Sequence, residues 1–345
     1  MTDLGEVLTT ARRASGLTQE ELATKAGVTQ AALSRWENGL REPDEQSLEI
    51  LARELGVTTR FIHHAGRVRG AMAVDAHMRR RATAQATVWK RLEARLNMYR
   101  MHANLLSEEI TIRSDHRIPT FDPVDTAPQA AARMVRMQWG MPIGPVRQLV
   151  AWIEAAGCLV IEEPFGTTRV DGMSQWVNGQ PLIFINSEVP TDRKRLTLAH
   201  ELGHLVLHAT EVVEEVEEQA NAFAAEFLMP IEVIKPQIRN LRFEQLPDLK
   251  RQWGVSMAAL IERAFRAGYL RPEQRTRMYK ILSSRGWRTS EPISDELPPE
   301  RPELVSVISD ALHGRGLTEN EVAGIAGFAS PEVNRLFPRR GLRAV

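Results

Sequence analysis

The sequence predicts an α+β protein that is mostly helical, with a small β-sheet in its central part. Short helical patterns separated by glycines fill the N-terminal region and recur through most of the chain. Two apolar runs flank Asn178–Gly179, a strong signal for a β-hairpin. A length of 345 residues suggests two or three domains. We expect the segments to be 1–66, 67–115, 116–290 and 291–345.

Composition excludes several classes of protein. Lys+Arg and Asp+Glu both count 44, so any nucleic-acid partner must be met by a local basic patch. Cys158 is the single cysteine, which excludes a disulfide framework and predicts a buried structural thiol. The N-terminus has no apolar signal segment, and no window holds about 18 apolar residues. We therefore expect a soluble cytoplasmic protein.

The N-terminal segment has the pattern of two short helices joined by a turn. Thr18 and Glu21 form a capping box before "QEELATKA", which stops at Gly27. Thr29 caps the next helix, "QAALSRWEN", which stops at Gly39. This arrangement matches a helix-turn-helix. Apolar packing would leave one polar face on the second helix, formed by Gln30, Ala31, Ser34 and Arg35.

The stretch "LTQEELATKAGVTQAALSRWENGLREP" resembles the XRE/Cro-type helix-turn-helix family, over about residues 4–62. The resemblance implies a five-helix bundle that binds double-stranded operator DNA with Gln30–Arg35 in the major groove and Gln19 near a phosphate. Ser34 and Arg35 are the candidates for reading base edges, since an arginine fork suits guanine O6 and N7. The candidate DNA-binding residues are Gln19, Thr29, Gln30, Ser34 and Arg35. A homodimer is a further expectation.

A small helical bundle used for protein contact is the alternative reading of this segment. Residues 1–66 hold 7 basic and 10 acidic residues, which does not favour DNA binding. Residues 67–100 hold 9 basic and 2 acidic residues, including "RVRG" and "MRRR". An arm of this kind would supply the missing phosphate contacts.

Residues 74–110 contain no Pro or Gly, and a helical stripe runs through Val88, Leu92, Leu96 and Tyr99. The pattern predicts a long helical connector, either a spacer or a helix that packs on the next domain. "RIPTFDP" and "DTAP" then indicate a boundary near 112–128.

The central part combines helices, strands and a histidine-rich helix. "PQAAARMVRMQWGMPIGPVRQLVAWIEAAG" predicts two helices, "CLVIEEPF" a strand, and "VDGMSQWVNGQPLIFIN" a hairpin. In the following "AHELGHLVLH", His200 and His204 are four residues apart, so their rings lie on one side, about 6 Å apart along a helix. Glu201 can reach a metal-bound water in this HExxH pattern. A helix with hydrogen-bonded histidines is the alternative reading.

A catalytic zinc site with three protein ligands needs one more residue. The acids that follow are Glu211, Glu214, Glu215, Glu217, Glu218 and Glu226. The apolar stripe Ala220, Phe223, Ala224, Phe227 and Leu228, extended backwards, reaches Glu217, whereas Glu218 points about 100° away. His208 is expected beside the site or at the surface. Thr210 stands where the metzincin pattern has histidine, so that class does not fit.

"LTLAHELGHLVLH", "EEQANAFAAEFLMP" and "WGVSMAALIERAFRAGYL" resemble the ImmA/IrrE metallopeptidases over roughly residues 125–290. The resemblance implies a gluzincin-like zinc peptidase domain in which His200, His204 and Glu217 bind Zn²⁺ and Glu201 is the general base. Gln219 departs from the family, where a second Glu is common. The family cleaves XRE-type repressor proteins. The predicted function is therefore a DNA-binding regulator with a zinc endopeptidase domain. A sensor without turnover and an antitoxin-like regulator are alternatives.

The C-terminal residues begin with a Pro- and acid-rich linker, "TSEPISDELPPERPE". Thr318 and Glu321 then repeat the capping-box pattern. We expect a helical hairpin that docks on the peptidase domain, with a degenerate helix-turn-helix as the alternative.

Overall fold

The computed structural model describes residues 4–66, 86–167, 169–209, 214–288 and 290–337. These residues form two compact units. The first contains the described residues within 1–113, 177–180 and 303–345, and the second contains those within 114–176 and 181–302. The four-segment division made from the sequence stays a prediction.

Five short helices build the N-terminal bundle of the first unit. They are α1 (Leu4–Ser15), α2 (Gln19–Ala26), α3 (Gln30–Glu37), α4 (Glu45–Leu55) and α5 (Thr59–Ala65). Thr18 caps α2 in the predicted capping box with Glu21, and Gly27 ends the helix with a φ of 67°. Their apolar faces meet in one core around Leu8, Leu22 and Leu33, each 0% exposed.

The described part of the predicted connector is one helix, α6 (Ala86–Glu109). Leu92, Leu96 and Tyr99 of the predicted stripe are buried, whereas the side chain of Val88 lies outside the described residues. Helix α6 packs against α1 and α5. The bare spacer is therefore wrong, because apolar side chains of this helix complete the core of the N-terminal bundle. Packing on the next domain stays a prediction.

The C-terminal residues form a helical hairpin of α15 (Leu304–Gly314) and α16 (Glu319–Ile325) within the first unit. Phe328 forms an isolated antiparallel bridge with Val57. The expectation that this hairpin docks on the peptidase domain is corrected, because its described contacts include the α4–α5 turn and α6. The partners Val57 and Phe328 lie some 270 residues apart in the sequence, and no periodic pattern predicts such a contact.

His102 of α6 lies at the centre of these contacts. Its ring stacks between Phe61 at 4.1 Å and Phe328 at 3.9 Å between centroids. Its Nδ1–H donates to the Ala326 carbonyl oxygen at 2.6 Å. Burial lowers the pKa of His102 to about 3. The imidazole is therefore neutral and ties three separate parts of the chain together.

The second unit is built around a three-stranded sheet with the order β1-β3-β2. The strands are β1 (Leu159–Glu163), β2 (Gly172–Val177) and β3 (Gln180–Asn186). β1 pairs in parallel with β3, with Leu159 opposite Leu182. Asn178 and Gly179 have φ angles of 49° and 81°, which gives the predicted two-residue hairpin.

Helices surround this sheet and enclose the larger apolar core. Those that precede the HExxH sequence along the chain are α7 (Pro128–Gln138) and α8 (Leu149–Ala155), as predicted. The others are α9 (Thr191–Leu207), α10 (Val216–Leu228), α11 (Ile231–Ile238), α12 (Leu246–Trp253), α13 (Met257–Arg266) and α14 (Pro272–Ser284). No described helix is long and apolar enough to cross a bilayer.

The segment predicted as a linker begins with residues that are packed into the second unit. Lys250 is 0% exposed, and its Nζ lies 2.8 Å from Asp192 Oδ2, Glu291 Oε2 and Ser294 Oγ. Glu300 accepts hydrogen bonds from two backbone amides at the start of α8 and pairs with Arg195 of α9. Ion pairs and hydrogen bonds thus hold residues 291–300 against α9, the helix that carries the HExxH sequence.

Candidate metal centre and DNA-reading helix

Two packed helices bring together three potential metal ligands. His200 and His204 lie on successive turns of α9, and Glu217 lies in the first turn of α10. The Nε2 atoms of the two histidines are 3.0 Å apart. The Glu217 carboxylate oxygens lie 3.6 Å from His200 Nε2 and 3.5 Å from His204 Nε2.

These distances fit one tetrahedral zinc ion. With bonds of about 2.0–2.1 Å, tetrahedral ligand atoms lie about 3.3–3.4 Å from one another. The three candidate ligand atoms all lie within 4.8 Å of one another. Two imidazole nitrogens with one carboxylate also form the donor set found in several zinc hydrolases. The residues present therefore suit zinc.

The other acids considered from the sequence have different surroundings. Glu226 is 1% exposed and pairs with Arg133 and Arg263. Glu218 is exposed, as the helical spacing predicts. Glu214 and Glu215 are also exposed, and Glu211 lies outside the described residues. Among the described acids, the structure brings Glu217 to the two histidines.

Hydrogen bonds on the far side of each imidazole orient the two rings. His200 Nδ1 lies 3.1 Å from Asn221 Oδ1, so it carries the proton, and Nε2 keeps its lone pair. His204 Nδ1 lies 3.0 Å from His208 Nδ1, and His208 Nε2 lies 3.0 Å from Gln219 Oε1. The amide nitrogen of Gln219 donates to the Pro123 carbonyl oxygen at 3.4 Å.

One consistent set of donors and acceptors satisfies every hydrogen bond in this chain of contacts. Gln219 uses its amide N–H toward Pro123 and therefore offers its oxygen to His208 Nε2–H. His208 Nδ1 is then an acceptor and takes the proton of His204 Nδ1–H. In the tautomer of His204 that results, Nε2 carries no proton and lies 3.5 Å from a Glu217 carboxylate oxygen. His208 thus lies behind the site, one of the two positions expected for it.

Glu201 is held beside the ligands by the sheet. It is 6% exposed. Ser174 Oγ, on β2, lies 2.8 Å from Glu201 Oε2 and 3.0 Å from its carbonyl oxygen. A Cβ at Gly172 would meet Thr197 Cγ2 at 2.6 Å and Glu201 Cγ at 3.3 Å. The sheet therefore approaches the helix closely enough for Ser174 to fix the carboxylate.

Sequence reasoning missed Ser174, Asn221 and the link from His208 to Gln219. Asn221 is four residues after Glu217, so helical spacing alone would have placed it on the same side of α10. Ser174 gave no such signal, because its partner is 27 residues away on another element. Gly203 allows a close approach between α9 and α10, since a Cβ there would lie 3.1 Å from Phe223 Cδ1.

The residues predicted to read DNA lie on α3 and at its N-cap. Leu33 and Trp36 are buried, whereas Thr29, Gln30 and Arg35 are exposed and Ser34 is half-buried. Thr29 is the N-cap and accepts a hydrogen bond from the Ala32 amide at 3.2 Å. The face therefore has the composition and exposure that base-edge contacts need.

Gln19 connects α2 to α3. Its Nε2 donates to Glu37 Oε2 at 2.7 Å, and its Oε1 accepts from Gln30 Nε2 at 3.2 Å. Arg12 holds the same Glu37 carboxylate through two hydrogen bonds of 2.6 and 2.9 Å. Gln30 is thus oriented at the start of α3. Most of the basic arm expected to assist, including "RVRG" and "MRRR", lies outside the described residues.

Two family models match the chain. Residues 8–62 match the model described as Helix-turn-helix, and residues 153–265 match the peptidase-family model described as IrrE N-terminal-like domain. No curated protein matches the chain at a significant level. The chain joins an XRE-type helix-turn-helix domain to an IrrE/ImmA-like domain. It therefore has the architecture of a DNA-binding regulator with a metallopeptidase-like domain.

Proposed function

We propose that this chain is a transcription regulator whose second domain is a zinc-dependent endopeptidase that cleaves a repressor or another regulator protein. The observation that carries the proposal is the triangle of His200, His204 and Glu217, with Glu201 fixed beside it. An accidental group of polar residues would not need the oriented tautomers or the buried, hydrogen-bonded acid.

In the proposed mechanism His200 Nε2, His204 Nε2 and Glu217 would hold the zinc ion. A zinc ion in such a site supplies a water molecule of lowered pKa and polarises the scissile carbonyl. Glu201 would accept a proton from the attacking water and return it to the amine that leaves as the C–N bond breaks. Ser174 restrains Glu201 in the position from which it does both. The hydrogen bonds that His200 Nδ1–H donates to Asn221 and His204 Nδ1–H donates to His208 would keep both Nε2 atoms directed at the ion.

A protein substrate is favoured by the position of β2. This strand is at the edge of the described sheet, and it carries Ser174, the residue that contacts Glu201. An extended peptide that pairs with a sheet edge gains backbone hydrogen bonds without a defined sequence. Such pairing along β2 would bring a substrate backbone toward Glu201.

The DNA-binding half of the proposal assigns base contacts to α3. Arg35 and Ser34 read base edges in the major groove, Gln30 and Thr29 contact the start of the site, and Gln19 binds a phosphate. Arg35→Ala should lose about 1–3 kcal/mol of discrimination at one base pair. Binding of the full chain to DNA from its own promoter region, measured against scrambled duplex over several salt concentrations, tests this half.

Burial of the site favours one second candidate, a metal or ligand sensor without turnover. His200 is 7% exposed and Glu201 is 6% exposed, so access for a substrate is narrow. In this reading zinc or a small ligand biases DNA binding, and no peptide bond is cut. An antitoxin-like regulator would also belong to this class.

A peptide-cleavage experiment separates the two. The zinc-loaded full chain is incubated with a defined mixture of peptides from a protease digest, and products are identified by mass spectrometry. We expect new termini with wild type and with Glu218→Gln, an exposed acid one residue from the proposed ligand, and none with Glu201→Gln. Zinc binding by all three without any cleavage would reject the endopeptidase and support the sensor.

A further inference from the structure

Helix α14 and its flanks carry a local excess of positive charge in a chain whose net charge is zero. Residues 266–288 contain seven Lys or Arg residues and one acid, Glu273. Six of the seven basic side chains are exposed, and Arg275 is half-buried. This excess lies in the second unit, outside the helix-turn-helix domain and outside the metal centre.

Little of this charge is neutralised within the part of the chain that the structure describes. Arg275 pairs with Glu262 at 2.7 Å, and Tyr279 donates its hydroxyl to the same carboxylate oxygen at 2.7 Å. No ion pair with a described carboxylate is formed by Arg266, Arg271, Arg277, Lys280, Arg285 or Arg288. Arg285 and Arg288 instead lie over aromatic rings, which orients guanidinium groups without removing their charge.

Some of these residues line one open groove of about 520 Å³. Its lining consists of Thr276, Tyr279, Lys280, Ser283, Ser284 and Arg288. We call this surface the α14 groove. It presents two cations and three aliphatic hydroxyls. No carboxylate is among its lining residues.

The spacing along the helix makes the α14 groove linear. Thr276, Lys280 and Ser284 are four residues apart, so they follow one side of α14 over about 12 Å. Arg288 continues the same lining beyond the end of the helix. Lysine, arginine and hydroxyl side chains are the groups that proteins direct at nucleic-acid phosphates. The length of this row of side chains suits a stretch of nucleic-acid backbone better than a single small anion.

A DNA backbone is favoured over an acidic protein by the rest of the chain. The helix-turn-helix domain that reads the bases has 7 basic and 10 acidic residues in positions 1–66. Most of the free energy of non-specific DNA binding comes from cations that displace counterions. A reading domain with this charge gains little from that source. Residues 67–100, with 9 basic and 2 acidic residues, are one cationic source outside that domain, and the α14 groove offers another in the second unit.

We infer that the α14 groove is a second, sequence-independent DNA contact, in which Lys280 and Arg288 neutralise backbone phosphates and the hydroxyls of Thr276, Ser283 and Ser284 donate to phosphate oxygens. It adds affinity and carries no base information. The inference assigns a role to the second unit that hydrolysis does not require.

The test is the salt dependence of binding to a fluorescent random-sequence 40-base-pair duplex, measured by anisotropy with the full chain. Each phosphate neutralised contributes about 0.9 to the slope of log K against log salt. The double variant Lys280→Gln/Arg288→Gln should lower that slope by about 1.8 and weaken binding roughly tenfold to hundredfold near 0.1 M salt. Both residues are exposed, so the melting temperature should stay close to that of wild type.

The matched control removes the same charge from another exposed place in the second unit, Lys235→Gln/Arg239→Gln at the end of α11. Its slope should equal that of wild type. Equal slopes for all three proteins would overturn the inference. So would a groove variant that binds DNA normally but loses binding to poly-glutamate, because the surface would then serve an acidic protein.

Arg35→Ala distinguishes failure of this inference from failure of the proposed DNA reading. It should abolish preference for promoter DNA over scrambled duplex and leave most of the salt slope on random DNA. If Arg35→Ala keeps the preference while the groove variant still lowers the slope, the proposed base reading fails and the inference about the groove stands.

Discussion

Replacing His208 by phenylalanine should weaken zinc binding although His208 is not one of the proposed ligands. The variant keeps an aromatic ring at the end of α9 but removes the nitrogen that accepts the proton of His204 Nδ1 at 3.0 Å. His204 then loses the partner that fixes its tautomer and its rotation. Because the His204 side chain is only 12% exposed, water replaces that partner poorly.

The expected size of the effect follows from this burial. Losing the acceptor of a largely buried donor costs about 1–3 kcal/mol. That range corresponds to roughly a tenfold to hundredfold loss of metal affinity, the usual effect of removing a partner of a ligating histidine. Asn221→Ala removes the corresponding partner of His200, but Asn221 is exposed and water can take its place. We expect a loss below about tenfold for that variant.

The assay is competition between the apo-protein and a chromophoric zinc chelator at fixed pH, with the melting temperature recorded for each variant. His63→Phe, which changes an exposed histidine of α5, is the control and should bind zinc as wild type does. A dissociation constant for His208→Phe within twofold of wild type, in a folded protein, would refute the reasoning from the hydrogen-bond chain.

Three further predictions concern packing, pH and the general base. Gly203→Ala should lower the free energy of unfolding by about 1 kcal/mol in urea titrations. A Cβ 3.1 Å from Phe223 destabilises the packing by more than the higher helix propensity of alanine stabilises α9, so a more stable variant would contradict this. His102, whose folded pKa of about 3 lies below its ordinary value of 6.5, takes up its proton only on unfolding between those pH values. Stability should therefore fall by up to about 1.4 kcal/mol per pH unit as pH drops below 6.5, and His102→Phe should reduce that slope; identical slopes would contradict it. Ser174→Ala should lower kcat of peptide cleavage and leave zinc affinity unchanged, since Ser174 contacts Glu201 and not the ligands, whereas a loss of zinc would assign Ser174 a different role.

Local patterns in the sequence predicted the parts of this molecule that depend on neighbours along the chain. Helical spacing placed His200 and His204 on one side of α9, and the apolar stripe of α10 singled out Glu217 from the acids around it. The Asn178–Gly179 pair predicted the hairpin because its turn requires positive φ at both positions. Each of these predictions rests on a period or a turn that a few residues define.

The remaining features arise from tertiary packing, which periodicity does not encode. Ser174 meets Glu201 only because β2 lies against α9. The C-terminal hairpin packs on the first unit through Phe328 and His102, and neither residue stands out in the sequence. Lys250 resembles an ordinary helical lysine until the fold buries it between Asp192 and Glu291. Buried charges of this kind are recognised only when their partners are known.

Zinc stoichiometry of a matched pair of variants tests the central claim most directly. Purified full-length wild type, Glu217→Gln and Glu218→Gln are loaded with zinc, dialysed, and analysed by mass spectrometry for metal content per chain. The two acids are neighbours in the first turn of α10, so net charge and helix propensity change equally. The account predicts about one zinc ion per chain for wild type and Glu218→Gln and a large loss for Glu217→Gln. Equal zinc in both variants, or none in wild type, would contradict it.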